Sequence, residues 1–412
     1  MALFAATVVL LSSGCADETR SFNPSPPGTT TSSDTGTVTA TGVGGVGGQV
    51  STAGGAGAGA GGAPSSPLGT LPTQAVTDSA CVPAGGTEVE VYSAVGGPPR
   101  FDRLVTVGAN RAAQEASIGG FVAMDMDGGN PSAEVIYASI LHNQIASDGA
   151  SLGVVAVEET LLFQRFDDQG ALVGGLLDVS PDAPAKVAIA AHSGGWLMAW
   201  QFADTVRARV VASDGSFAGP TADLGTGAAD LTIVAAPAPG GFAVAWSGNV
   251  GAGEYRTYFV HTAADGSGGS VVEVARGAEP HEVVRLVPTP TGHALLLNGG
   301  PPIWAAYVVL FDGNGEVASP AFDLEGAFVT RDVAVLGSEI GVVAGRASDE
   351  TEFRAFDATM APLGPWVCLA GPTSSGEPAA IDIDPNGYAV LYRTPAGATN
   401  LARFDRLGTG AQ

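Results

Sequence analysis

Hydrophobic and polar residues alternate along most of the chain after residue 85, which is typical of β-strands rather than helices. In residues 186–225, KVAIAAHS leads through Gly194-Gly195 into WLMAWQF, and TVRARVVAS then ends at Asp214-Gly215 before a fourth short run, FAGPTADLG. Gly-Gly and Asp-Gly between apolar runs are hairpin turns, because these residues tolerate positive backbone dihedrals. The stretch therefore predicts four antiparallel strands.

This four-stranded unit is repeated along the chain. Its apolar marker falls at Phe121, Trp196, Phe242, His293, Ile340 and Tyr388, at nearly even intervals after a longer first one. A second marker, the turn after the third run, falls at Asp167, Asp214, Asp265, Asp312, Asp357 and Asp405. Four-stranded units repeated at about 45 residues are typical of β-propellers. The sequence therefore predicts an all-β fold, a six-bladed β-propeller of four-stranded antiparallel blades over residues 81–412.

The first interval is longer than the others, and we interpret the excess as an insertion at 128–153 that forms a protruding hairpin or loop. Long loops on rigid scaffolds often carry binding, although a neutral insertion is the alternative. The polar and aromatic residues that make this segment a candidate binding loop are Asn130, Tyr137, His142, Asn143 and Asp148.

The fifth unit departs from the pattern, because Ser338-Glu339 replaces the glycine pair and Met360 replaces the turn glycine. We expect this blade to be less regular than the others.

Ring closure is indicated by a duplicated pentapeptide. Arg-Phe-Asp-Arg-Leu occurs at 100–104 and again at 403–407. We expect TEVEVYS (87–93) to be an extra strand that pairs with the last blade, since an open edge would invite aggregation.

Cys81 and Cys368 are the two cysteines that follow Cys15. They lie near opposite ends of the repeat region, so a disulfide between them would fasten the closure of the ring. Two unrelated buried thiols are the alternative.

The N-terminal region, 1–80, differs from the repeats in composition. Residues 1–14 are apolar and end in small residues, as in a signal peptide. Residues 15–80 are rich in Gly, Ser, Thr and Ala and predict a disordered tether. The segment Leu11-Ser12-Ser13-Gly14-Cys15 resembles the lipobox of bacterial lipoproteins, which implies that Cys15 carries the lipid and that the membrane is contacted through it.

The stretches PAKVAIAAHSGGWLMAW, FAVAWSG and EPAAIDIDPNGYAVLY resemble tandem propeller repeats of exported bacterial lipoproteins and uncharacterised surface proteins. The resemblance covers residues 85–412 and implies a location in the cell envelope, lipid-anchored at the outer membrane or cell surface. It specifies the fold better than the function.

The net charge of −24, from 41 acidic and 17 basic residues, argues against nucleic acid as a partner. Lys186 is the only lysine, so a polybasic membrane-binding patch is not expected either. We expect a monomer whose partner is a protein or a glycan.

Catalytic patterns in the sequence lack their structural context. Gly149-Ala150-Ser151-Leu152-Gly153 matches the serine-hydrolase elbow but is followed by a strand-like run, and residues 57–62 match a dinucleotide fingerprint within the tether. Residues 166–170 faintly resemble the aspartate box of sialidases without its Ser and aromatic residues.

Metal sites receive little support. Asp125-Met126-Asp127 and Asp312–Glu316 alternate oxygen ligands as calcium loops do, yet the same residues suit turns. The five histidines show no close pairing in sequence, so we expect neither a metal nor another cofactor. The aromatic residues Trp196, Trp200, Trp246 and Phe242 are interpreted as core between blades.

These observations favour a non-enzymatic, lipid-anchored propeller that binds a protein or glycan. The alternative is an exported propeller hydrolase or lyase that acts on polysaccharide, which should gather carboxylates, His or Arg from several blades around the central channel.

Overall fold

In a computed structural model, the chain forms a β-propeller of seven sheets around a central axis. The structure describes residues 74–75, 81–83, 88–92, 101–115, 120–132, 135–136, 142–299, 305–324, 327–346, 350–370, 379–384, 387–394 and 397–405. The predicted signal peptide, Cys15 and most of the predicted tether lie outside these residues. None of the described residues belongs to a helix long and apolar enough to cross a membrane.

Three short strands precede the first blade: β1 (Gln74–Ala75), β2 (Val82–Pro83) and β3 (Glu88–Tyr92). The blades are numbered along the chain. Blade 1 contains β4 (Phe101–Val107), β5 (Asn110–Glu115), β6 (Gly120–Asp125) and β7 (Val135–Ile136); blade 2 contains β8 (His142–Ser147), β9 (Leu152–Val157), β10 (Leu161–Phe166) and β11 (Leu172–Ser180). Blade 3 contains β12 (Val187–His192), β13 (Gly195–Phe202), β14 (Thr205–Ala212) and β15 (Ala222–Thr226); blade 4 contains β16 (Ala229–Ala238), β17 (Gly241–Asn249), β18 (Tyr255–Ala263) and β19 (Val272–Gly277).

The remaining blades follow the same order. Blade 5 contains β20 (His281–Thr289), β21 (Gly292–Gly299), β22 (Ala305–Asp312) and β23 (Phe322–Asp323); blade 6 contains β24 (Ala327–Leu336), β25 (Glu339–Arg346), β26 (Thr351–Phe356) and β27 (Val367–Ala370). Blade 7 contains β28 (Ala380–Asp384), β29 (Gly387–Arg393) and β30 (Thr399–Asp405).

Each blade is an antiparallel meander whose first strand lies at the axis. The first strands of successive blades contact one another, and β28 of blade 7 contacts β4 of blade 1, so the ring is closed. Large aromatic side chains fill the space between blades: Trp196 and Trp200 are 0% exposed and Trp246 is 1% exposed. The predicted role of these tryptophans as core is confirmed.

The ring closes inside blade 7. Strand β3 supplies the outermost strand of this blade and pairs antiparallel with β30, with Glu88 opposite Ala402. The prediction that 87–93 pairs with the last blade is confirmed. The duplicated pentapeptide is not the reason, because Phe101 lies on the innermost strand of blade 1 whereas Phe404 lies on the third strand of blade 7.

The segment before β3 runs along the outer edges of two more blades. Strand β1 pairs in parallel with β23 of blade 5, and β2 pairs in parallel with β27 of blade 6. A disulfide joins Cys81 to Cys368, whose Cα atoms are 5.3 Å apart. The predicted disulfide is therefore present in the structure, and it fastens the N-terminal segment to blade 6.

The prediction of six blades is wrong, because the long interval between Phe121 and Trp196 hides a seventh. Phe121 lies on the third strand of blade 1, whereas Trp196 and the later markers lie on second strands. The second strands themselves begin at nearly even intervals, at Asn110, Leu152, Gly195, Gly241, Gly292, Glu339 and Gly387. The pattern did not reveal β5 because its sequence, NRAAQE, places Arg111 and Gln114 in buried positions where most of the other blades have apolar residues.

Residues 128–153 are consequently not an insertion. They contain the end of blade 1, all of β8 and the start of β9, so the expected protruding loop is instead the boundary between two ordinary blades.

Blade 6, the fifth unit of the sequence pattern, keeps the common turn despite Met360. Met360 adopts a φ of 63°, close to the value of 83° at Gly315 in blade 5, and its N–H donates to the Asp357 carbonyl at 2.9 Å. The expected irregularity is absent at this turn because Met360 accepts the left-handed conformation while its side chain is buried, with 2% exposed.

Candidate functional site

The axial channel is lined by the innermost strands and contains two chambers. The upper chamber lies at the beginning of these strands, has a volume of about 430 Å³ and is lined by residues that include Gln144, Lys186 and Thr232. The lower chamber lies towards their ends, has a volume of about 460 Å³ and is lined largely by small residues such as Ala190 and Ala235. Arg103 borders both chambers.

Charged side chains from four blades meet in this channel, and we call them the axial cluster: Arg103 (β4), Arg285 (β20), Asp332 (β24) and Asp382 (β28). Arg285 and Asp332 form an ion pair, with Nε 3.2 Å from Oδ1, and the Asp332 side chain is 3% exposed. Asp332 also accepts hydrogen bonds from the main-chain N–H groups of Val333 at 2.9 Å and Ile381 at 3.1 Å. Burial nevertheless raises the pKa of Asp332, against the opposing effect of Arg285.

Asp382 lies on the blade 7 side of the cluster. Its Oδ2 accepts a hydrogen bond of 2.6 Å from the Thr106 hydroxyl. Burial raises the pKa of Asp382 to about 6, although Thr106, Arg111 and Arg285 each oppose the shift. A carboxyl group with this pKa changes charge close to neutral pH, which few carboxyl groups in proteins do.

Arg103 has the weakest compensation in the cluster. Its Nη1 donates to the Ile145 carbonyl at 3.1 Å. Burial, followed by the nearby positive charge of Arg285, lowers the pKa of Arg103 to about 9, and Asp332 and Asp102 offset only part of this effect. The guanidinium is therefore held in a place that disfavours its charge.

The predicted binding-loop residues are placed apart from this cluster. Asn130 has a φ of 46° and donates from Nδ2 to Asp125 Oδ2 at 2.7 Å, within the turn after β6. Asp148 Oδ1 accepts from the main-chain N–H groups of Ala150 at 2.9 Å and Ser151 at 2.7 Å, in the turn after β8. Both side chains thus stabilise turns.

The other three residues have no described side chains. His142 and Asn143 begin β8, and only their backbone is described; Tyr137 lies outside the described residues. Binding by the five residues remains a proposal.

The repeating turn aspartates act on the backbone. Asp312 Oδ1 accepts from the N–H groups of Asn314 at 2.9 Å and Glu316 at 3.0 Å, and these bonds lower its pKa. Asp167 Oδ1 likewise accepts hydrogen bonds from the N–H groups of Gln169 at 2.9 Å and Ala171 at 2.8 Å. The candidate calcium loops and the faint aspartate box thus occupy ordinary turns.

The Gly149–Gly153 motif lies in the turn between β8 and β9 and is followed by a strand, so it is not a nucleophile elbow. Within the described part of the chain, one group of three possible metal ligands comes together, Cys81, Glu352 and Cys368, and its two sulfur atoms form the disulfide.

Two histidines approach each other although their sequence positions gave no sign of it. The rings of His261 and His293 lie 5.2 Å apart between blades 4 and 5. His293 is 0% exposed, its Nε2 lies 3.0 Å from the Pro237 carbonyl, and burial lowers its pKa to about 4. This pair packs with Phe259 and Phe311 as part of the core.

Sequence reasoning missed the axial cluster. Its residues are scattered over four units and match no linear motif. The available signal was the position of the charges: VVRLV, TRDVAV and AIDID each place a charged residue inside the first, apolar run of a unit. A charge in a strand that lines the axis is rare unless it is paired or functional.

Comparison with known proteins supports the fold. A hydrazine synthase structure from Kuenenia stuttgartiensis is similar at 13% identity over 74% of this chain and 96% of that chain, with a TM-score of 0.54. The Dos1 propeller is similar at 12% identity over 77% and 83% of the two chains, and Hsv2 of Kluyveromyces lactis at 12% over 74% and 94%, each with a TM-score of 0.46. No protein-family model and no curated protein matches the sequence. At such low identity the likeness extends to the fold alone.

Proposed function

We propose that this protein is an exported, lipid-anchored β-propeller that acts as a binding scaffold in the cell envelope, and that its axial channel receives the ligand. The observation that supports binding is the pair of chambers on either side of a partly buried charged cluster to which four blades contribute. Concave sites with a few convergent polar groups are the usual places of ligand binding. The partner is a protein segment or a glycan.

Export and anchoring are supported by two features. The disulfide between Cys81 and Cys368 suits an oxidising compartment. The lipobox-like segment ending at Cys15 supplies the lipid, and the residues up to the propeller supply the tether.

Labelling with a radioactive fatty acid tests the anchor. We expect label on the wild-type protein and none on Cys15→Ala, because this thiol is the proposed acceptor. An unlabelled wild-type protein, or label that survives in the variant, would contradict the anchor.

Blocking the channel tests binding. Ala235 is half-buried and lines the lower chamber, whereas Ala218 is exposed elsewhere. In affinity capture from intact envelopes, the wild type and Ala218→Trp should retain a partner that Ala235→Trp loses. Equal retention by all three proteins would show that the channel is not the site.

A second candidate function is an exported hydrolase or lyase that acts on polysaccharide. Asp382 supports it, because a carboxyl group with a pKa of about 6 that lines the lower chamber suits a general acid. Depolymerisation of envelope polysaccharide that is lost in Asp382→Asn would establish this activity. Turnover that is unchanged in the variant would exclude this role of Asp382.

A further inference from the structure

The axial cluster and its surroundings hold more positive than negative charge. The basic side chains in and around the channel are those of Arg103, Arg111, Arg285, Lys186 and Arg331, and the acidic ones are those of Asp332, Asp382, Asp102 and Glu282. Asp332 forms an ion pair with Arg285, with Oδ1 3.2 Å from Nε. This count leaves one positive charge in excess.

Within the axial cluster, the charge of Arg103 is the least compensated. Among the described residues, the guanidinium of Arg103 makes a hydrogen bond to the Ile145 carbonyl and no ion pair, and its neighbour Asp102 is exposed at the mouth of the channel. An arginine has five N–H donors, so most of them remain for another acceptor. A half-buried charge that is compensated only in part is unfavourable, and a bound anion would reduce that cost.

The anion can reach this position, because Arg103 borders both chambers and Arg285 borders the lower one. Guanidinium groups bind carboxylates with two parallel hydrogen bonds, and a monoanion matches the single excess charge. The chambers, of about 430 and 460 Å³, suit a small molecule or one end of a chain rather than a folded domain.

We infer that the axial cluster binds one carboxylate group of an organic acid, held by Arg103 together with Arg285. This inference rests on the proposed function, in which the axial channel receives the ligand, and it names the chemical group that is recognised. A simple organic acid and an acidic sugar share this chemistry.

Isothermal titration calorimetry on the complete mature chain tests the inference. The probes are sodium acetate, sodium glucuronate, sodium sulfate and glucose, all at one ionic strength set with sodium chloride. The variants are Arg103→Met, Asp382→Asn and the control Arg207→Met, whose arginine pairs with Asp182 and Asp223 outside the channel.

We expect acetate or glucuronate to bind the wild type with one-to-one stoichiometry and more tightly than sulfate. Arg103→Met should weaken this binding about ten- to a hundredfold, the usual effect of losing hydrogen bonds between charged groups. Arg207→Met should leave it unchanged. Asp382→Asn should tighten it, since the variant removes a negative charge near Arg285 and keeps an acceptor for Thr106; a merely misfolded protein would not show this gain.

Three results overturn the inference. Carboxylate binding that is equal in the wild type and Arg103→Met would show that the cluster is not the site, as would a wild type that binds none of the anions. Binding of glucose as tight as that of glucuronate, and unaffected by Arg103→Met, would leave the channel as a ligand site but refute recognition of a carboxylate. Acetate bound more tightly than glucuronate assigns the site to a simple acid, and glucuronate bound more tightly than acetate assigns it to an acidic sugar.

Discussion

Replacing both cysteines of the disulfide by serine should destabilise the propeller strongly. The bridge joins residues separated by 287 positions, so it closes almost the whole propeller into one covalent loop. The chain-entropy relation gives about 5–6 kcal/mol for a loop of this length, and measured values for disulfides reach about 5 kcal/mol. We therefore expect Cys81→Ser/Cys368→Ser to lose about 3–5 kcal/mol of unfolding free energy.

The structure indicates that little else would replace the bridge. Strand β2 contributes two residue pairs to β27, and Val82 N–H donates to the Trp366 carbonyl at 2.8 Å. Val82 itself is 42% exposed, so apolar burial adds little at this position. Without the disulfide, the N-terminal segment is held mainly by β3.

Urea denaturation followed by tryptophan fluorescence measures the effect. With a slope of about 3 kcal/mol per molar urea for a domain of this size, the midpoint should fall by roughly 1–1.7 M. Dithiothreitol should lower the midpoint of the wild type to that of the double variant and leave the double variant unchanged. A double variant whose midpoint equals that of the oxidised wild type would refute the reasoning.

Three further predictions concern buried side chains. Asp332→Ala should lose about 3–5 kcal/mol of unfolding free energy, because it leaves Arg285 without its partner. A denaturation midpoint equal to that of the wild type would contradict this role of Asp332. The folded-state pKa of Asp382, about 6, exceeds the ordinary value of 3.8, so Asp382 contributes a stability that is present below pH 4 and lost as pH rises through 6. Asp382→Asn should therefore be more stable than the wild type by about 2–3 kcal/mol at pH 7.5 and equal to it near pH 4. A stability difference that does not depend on pH would exclude this titration. Met360→Gly should relieve about 1 kcal/mol of backbone strain but lose about 2–3 kcal/mol of the stabilisation from side-chain burial. The melting temperature of the variant should therefore fall, and a rise would show that the strain dominates.

The fold could be predicted from sequence where the hydrophobic pattern is regular. Alternating runs and Gly or Asp turns indicated the four-stranded blade, because inward and outward positions of a strand differ in polarity. The number of blades was missed where β5 buries Arg111 and Gln114. Asp125, weighed as a calcium ligand, ends the third strand of blade 1 just as Asp312 ends that of blade 5, and this equivalence would have revealed the additional blade.

The candidate site could not be predicted in the same way. Arg103 and Arg285 lie far apart in sequence, on the first strands of blades 1 and 5, and are neighbours only because the ring brings β4 near β20 across the channel. A local pattern contains no information about which strands meet at the axis. Knowledge that each unit begins with its axial strand would be sufficient to select these residues.

The axial cluster and the N-terminal segment stabilise the same part of the ring. The cluster draws its charges from blades 5, 6, 7 and 1, and β1, β2 and β3 attach to the outer edges of blades 5, 6 and 7. Closure is noncovalent within blade 7, where β3 meets β30, so this is where the ring is most easily opened. On the inner side, Asp332 receives the Ile381 N–H across the boundary of blades 6 and 7, and Thr106 donates to Asp382 across the boundary of blades 7 and 1. A ligand that compensates the charge of Arg103 would therefore also strengthen the closure, which couples occupancy of the channel to the stability of the whole propeller.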